Sequence, residues 1–161
     1  MASTYTPIAT TTLGADTASV TFSSISSAYT DLVLVLNWTS STSEFPMLQF
    51  NGDTATNYSW TDVVGNGTSA LSYRGSNVAG VYTLTYAGAT WSNAIWNIQN
   101  YSNTTTYKTV LTRANGTGSY TEANVGLWRN TSAINSIKVT FQTASNYKTG
   151  STFTLYGIKA A

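Results

Sequence analysis

Asp16, Asp31, Glu44, Asp53, Asp62 and Glu122 are all the carboxylate side chains this sequence brings to chemistry. Two of them converging across a cleft would form the carboxylate pair of glycoside hydrolysis. The sequence favours a plainer use for all six, as turn caps and surface charges. Nothing else supplements them, because the 161 residues include no His and no Cys. The side chain that titrates near neutrality, the strongest nucleophile and the usual zinc ligands are therefore missing together. The abundant serines have no imidazole base and no Gly-X-Ser-X-Gly elbow, and a Ser–Lys arrangement has no positive sign. Asn51, Asp53 and Asn57 offer hard oxygen ligands of the kind calcium takes, but an Asx turn accounts for the same residues. The sequence predicts no catalytic residue, no cofactor, no metal and no enzyme.

Aromatic side chains are the richer signal. Five Trp and 11 Tyr supply flat apolar faces with a polar handle, suited equally to sugar stacking, to protein interfaces and to a core. Trp96 and Trp128 lie inside alternating segments beside Ile98 and Leu127, which predicts a core or sheet-face position. Trp38, Trp60 and Trp91 adjoin polar turns and are the contact candidates expected to be exposed.

These side chains must be positioned by short strands. The pattern predicts strands over Tyr5–Leu13, Ala18–Phe22, Asp31–Trp38, Met47–Phe50, Tyr58–Val64, Leu71–Tyr73, Val81–Tyr86, Ala94–Gln99, Tyr107–Arg113, Ala123–Trp128, Ile137–Thr143 and Thr152–Ile158. Val20 and Phe22 oppose Ser19 and Thr21, and Ile137, Val139 and Phe141 oppose Lys138 and Thr140, the signature of half-buried strands. Leu32-Val33-Leu34-Val35-Leu36 does not alternate, which predicts a central strand covered on both faces or one that meets another subunit. Turn residues separate the runs at Asn51-Gly52-Asp53, Gly65-Asn66-Gly67, Asn115-Gly116-Thr117-Gly118 and Thr149-Gly150-Ser151. No long segment carries a capped helical period. The expectation is one all-β domain over residues 1–161, an antiparallel β-sandwich of jelly-roll type, with residues 1–13 as an N-terminal arm or edge strand.

Composition bounds the partners. Seven basic against six acidic residues give a net charge of +1, too small a field to draw in nucleic acid or an anionic membrane. Leu32 to Leu36 is the longest purely apolar run, against the roughly 20 residues of a membrane helix. Met1 to Leu13 has no basic and then apolar stretch of the kind a secretory leader needs.

A resemblance spans nearly the whole chain. Tyr5-Thr6-Pro7-Ile8-Ala9-Thr10, Val20-Thr21-Phe22-Ser23-Ser24-Ile25 with Tyr29-Thr30-Asp31-Leu32-Val33-Leu34, Leu48-Gln49-Phe50-Asn51-Gly52-Asp53, Thr56-Asn57-Tyr58-Ser59, Gly126-Leu127-Trp128-Arg129 with Ala133-Ile134-Asn135-Ser136-Ile137, and Ser151-Thr152-Phe153-Thr154-Leu155-Tyr156-Gly157-Ile158-Lys159 carry it. With these segments the chain resembles small β-rich virion proteins of tailed bacteriophages, particularly those infecting cyanobacteria and other aquatic bacteria. These motifs are patterns of apolar and turn residues, so they transfer a fold and a setting, not a mechanism. The resemblance implies a structural protein of the virion exterior, made in the host cytoplasm. Its implied role is capsid decoration as a homotrimer, with Tyr5 and Ile8 of the N-terminal segment contacting the major capsid protein. The alternative is a tail-fibre or receptor-binding tip that stacks host surface glycan on exposed aromatics.

Overall fold

Period-2 alternation of buried and exposed positions underlies most of the strands among the described residues. The computed structural model describes residues 4–85, 88–116 and 120–159, and these contain twelve strands and no helix. In order they are β1 (Tyr5–Thr12), β2 (Val20–Phe22), β3 (Asp31–Trp38), β4 (Pro46–Phe50), β5 (Tyr58–Gly65), β6 (Ala70–Val78), β7 (Val81–Tyr82), β8 (Ser92–Gln99), β9 (Lys108–Gly116), β10 (Tyr120–Trp128), β11 (Ile137–Phe141) and β12 (Thr152–Ile158). They pair antiparallel into two sheets, one of eight strands in the order β1-β12-β3-β8-β9-β10-β5-β6 and one of four in the order β2-β11-β4-β7. The expected all-β sandwich is the observed fold. Set against β2-β11-β4-β7, the run β1-β12-β3-β8 has the strand order of a jelly roll, and the hairpins β5–β6 and β9–β10 lengthen the larger sheet.

Turn chemistry falls where the sequence places it at Asn51-Gly52 and Asn66, whereas Gly65, Asn115 and Gly116, expected in turns, are drawn into β5 and β9 by pairing with β10. Asn51 and Gly52 both adopt positive φ, 53° and 71°. Asn66 folds the β5–β6 turn by accepting the amide N–H groups of Thr68 and Ser69 on its side-chain oxygen. Thr117 and Gly118 of the expected β9–β10 turn, and Tyr86 at the end of the expected seventh strand, lie outside the described residues.

One core joins the two sheets. Leu32, Leu34, Leu36 and Trp38 of β3, Phe153 and Leu155 of β12, and Trp96 and Ile98 of β8 meet Val20, Phe22, Leu48, Phe50, Ile137, Val139 and Phe141 of the smaller sheet. Each fully buried Leu or Phe contributes about 1.5–3 kcal/mol relative to exposure. Val33, on the opposite face of β3, is also buried and Val35 is half-buried, so this strand is covered on both sides.

Parity along a strand, not proximity to a turn, decides which aromatics are buried, and it corrects two expectations of exposure. Trp38 shares its face with Leu32, Leu34 and Leu36 and is fully buried. Trp60 lies on the inner face of β5, where Gly75 of β6 makes room for it; a Cβ at Gly75 would stand 2.6 Å from the indole nitrogen. Trp91, just before β8, is exposed as expected. Ile8 sits at a bulge between Pro7 and Ala9 and is half-buried, packed against the core. Tyr5 is 55% exposed, edge-on to Tyr156 with ring centres 6.2 Å apart. Residues 5–12 do not form a free arm, because β1 is an edge strand paired along β12 and leads into the buried Leu13.

Three adjacent strands invert the usual alternation. Val63 of β5, Leu111 of β9, and Ala123 and Val125 of β10 face outward. Asp62, Thr112, Glu122 and Asn124, one position away, face inward and are buried.

Candidate functional site

The inverted strands gather polar groups inside the sandwich. Antiparallel register places Thr112 directly opposite Asn124 and Asn124 directly opposite Asp62, one row across β9, β10 and β5. Glu122 lies two residues from Asn124 on the same face and so is a diagonal neighbour of Asp62. The segment after β7 covers this row. Asn124 donates from its side-chain amide to the Tyr82 carbonyl at 3.1 Å, and Thr85 donates its hydroxyl to Glu122 Oε2 at 2.8 Å. Thr83, between those contacts, is fully buried.

Electrostatics mark these two carboxyls as unusual. Burial pushes Asp62 up to about 6, opposed only in part by the nearby Val63 amide. Glu122 is pushed up to about 8, first by burial and then by the charge of Asp62, against hydrogen bonds from Thr85 and from the amides of Leu84 and Thr85. The pair is closed from solvent, with Asp62 at 0% and Glu122 at 6% exposure. Two of the six acids do converge, but inside the sandwich, where no sugar ring can be seated between them.

The other four acids serve the structure. Asp16 pairs with Lys148 at 2.6 Å and Asp31 accepts the Asn100 amide. Glu44 accepts the Phe45 amide and the Thr143 hydroxyl. Asp53 accepts from the Ala55 amide, the Asn57 side chain and the Trp128 indole, so its oxygens are taken up in the Asx turn. Lys108 is buried, and its ammonium donates to the carbonyls of Thr106 and Thr131. Burial lowers its pKa.

A cleft of ≈ 390 Å³ opens beside the acidic row, lined by Phe45, Trp60, Val64, Tyr73, Arg74, Leu84 and Tyr120. Trp60 and Val64 flank Asp62 along β5, and the Leu84 amide bonds Glu122, so cleft and acids share a wall. Of the contact candidates only Trp60 reaches this cleft. Trp91 lies elsewhere, near Gly150, and Trp38 belongs to the core. Tyr73, Arg74 and Tyr120 carry no signal in the sequence beyond their type. The one legible sign of the acidic row is Asp62 itself, the single charge on the inward set Tyr58, Trp60, Asp62 and Val64.

No protein-family model and no curated protein sequence matches this chain. Among solved structures it is similar to an exo-inulinase from Aspergillus awamori (10% identity, TM-score 0.43), covering 97% of this chain and 29% of the inulinase. It is also similar to the alginate lyase Aly36B (12% identity, TM-score 0.38, 92% of this chain and 77% of the lyase). A sucrose-6-phosphate hydrolase from Lactobacillus gasseri follows (13% identity, TM-score 0.35, 89% of this chain and 28% of the hydrolase). This chain thus spans under a third of the inulinase's length.

Proposed function

We propose that this chain is a non-enzymatic structural protein of a phage particle's exterior, seated on the head as a decoration protein and associating as a homotrimer. The resemblance to virion proteins of tailed bacteriophages supplies the setting. The observation that carries the role is the outer face of the large sheet. Val63, Val125 and Leu111 are 54%, 50% and 39% exposed there, with Val125 directly opposite Leu111 and Val63 opposite Ala123. Large apolar side chains grouped on an outer sheet face favour a protein contact. Three-fold closure would bury such a face without leaving an open-ended assembly. Tyr5 and the exposed edge of β1 are the further points at which the major capsid protein would be met.

Counting copies on purified particles tests this reading. Hundreds of copies on heads support decoration, and a few at the tail end it. Val125→Asp with Leu111→Asp should abolish head attachment while leaving thermal unfolding in place. Unchanged attachment would remove the sheet face from the contact.

A fibre-tip reading is favoured by one observation, the aromatic cleft. Phe45, Trp60, Tyr73 and Tyr120 with Arg74 offer stacking faces and a donor fork of the sort that holds a sugar. Loss of host adsorption on Tyr73→Ala, with the protein found at the tail, would establish that function in place of decoration.

A further inference from the structure

We propose that the inner face of the large sheet holds a hard divalent cation of the calcium class on oxygens of Asp62, Glu122, Asn124, Thr112 and Thr83. These groups leave hydrogen bonds unmade. Both carboxylate oxygens of Asp62, Oε1 of Glu122, Oδ1 of Asn124 and the hydroxyl oxygens of Thr112 and Thr83 are buried without a hydrogen-bond partner among the described residues. Buried polar atoms are nearly always satisfied, and leaving one unpaired costs about 1–3 kcal/mol, more for a charged group. Six such atoms on neighbouring positions amount to a ligand set.

Orientation supports the same conclusion. The Asn124 amide is fixed by its bond to the Tyr82 carbonyl, which leaves Oδ1 as a bare acceptor beside Asp62. Glu122 is fixed by Thr85 through Oε2, which leaves Oε1 bare in the same way. Thr112 and Asn124 are each 2% exposed and Thr83 is 0% exposed, so bulk water does not serve them.

Charge completes the case. Neither carboxyl is ion-paired with a Lys or Arg among the described residues, and a bound dication, by displacing the proton that burial and Asp62 hold on Glu122, would draw two negative charges from the pair and be neutralised by them. Oxygen number and type match calcium, which takes six to eight oxygens from carboxylates, amide carbonyls and neutral donors. The absence of His and Cys disfavours zinc, copper and other soft-ligand metals at this place. Such a cation would cross-link β5, β9, β10 and the segment after β7, and so tie the added hairpins to the small sheet.

The test uses the full chain and two probes, calcium and terbium. Trp96 stands opposite Thr112, and Trp60 is two residues from Asp62 on the same face, so the indoles are placed to sensitise terbium emission. The expected results are indole-excited terbium luminescence displaced by calcium, and a thermal midpoint higher in calcium than in chelator. Asp62→Asn should abolish both. Should that variant fail to fold, Thr112→Val, which keeps the shape and removes one oxygen, should weaken calcium binding several-fold. Equal midpoints in calcium and chelator with no displaceable luminescence would overturn the proposal. So would a calcium shift that survives both substitutions. A rise in the midpoint of Glu122→Gln equal with and without calcium would also overturn it, identifying a proton-sharing carboxyl pair instead.

Discussion

Trp128 donates its indole N–H to Asp53 Oδ2 at 2.8 Å, tying the last residue of β10 to the turn between β4 and β5. Trp128 is 1% exposed and packs against Phe50 and Tyr58 with ring centres 5.5 and 6.2 Å away. The bond gives a buried donor its acceptor, and the same carboxylate also orders the turn through the Ala55 amide and the Asn57 side chain. Asp53→Ala should therefore cost about 1–3 kcal/mol in urea unfolding, with near-ultraviolet circular dichroism reporting the loosened indole. An unchanged midpoint would mean that the indole finds another acceptor.

The same carboxylate predicts an acid limb of stability. Burial raises the Asp53 pKa, but the bonds from Asn57, Trp128 and the Ala55 amide outweigh it and hold the value below that of an ordinary aspartate. A depressed folded-state pKa contributes stability that is present above the unfolded value near 3.8 and is lost as pH falls through the folded value. Asp53→Asn should flatten the fall in thermal midpoint below about pH 4 and leave its slope near neutrality as it was.

Gly126 of β10 allows β7 of the small sheet to approach closely. A Cβ at that position would stand 2.4 Å from Val81 Cγ1, and Val81 is fully buried. Gly126→Ala should cost about 1–3 kcal/mol through overpacking. Adding Val81→Ala should recover part of that loss, so that the double variant is more stable than the two single effects added together. Additive losses would show that the sheets separate instead of colliding.

Leu34 lies in the middle of β3, fully buried, opposite Leu155 and Trp96. Leu34→Ala should cost about 2–5 kcal/mol, a large share of a domain's net stability. Thermal unfolding that does not move would displace β3 from the core.

Much of the architecture is legible from local patterns. Asp31–Trp38 and Thr152–Ile158 have the bounds expected of them, because an unbroken apolar run and a clean alternation respectively leave no other reading. Leu71–Tyr73 reads too short against the observed Ala70–Val78, since β6 is an exposed edge strand held by pairing with β5 and has no apolar face to reveal it. The acidic row is illegible for a different reason. Alternation in β10 offers Ala123, Val125 and Leu127 as the apolar set, and only pairing with β5 and cover from the segment after β7 turn Glu122 and Asn124 inward. Exposure of Trp38 and Trp60 is misjudged because nearness to a turn says nothing about which side of the sheet a residue occupies.

Removing residues 1–12 should leave β12 as an open edge and strip the cover that Ile8 gives the core. Uncovered edges pair with other chains. Light scattering should show larger, concentration-dependent species for the truncated chain. A truncated chain that matched the full-length one in size would show that the β12 edge is protected by its own residues.

The register of β1 on β12 sets Tyr5 opposite Ile158. Directly opposed residues of an antiparallel pair have Cα atoms only about 4.5–5.5 Å apart, so the polypeptide enters and leaves the sandwich at one corner. A short loop joining these strands, with new ends opened at the exposed β5–β6 turn, should yield a circularly permuted protein that keeps both sheets. By the same geometry the whole sandwich can be grafted into a surface loop of another protein without prising that loop apart.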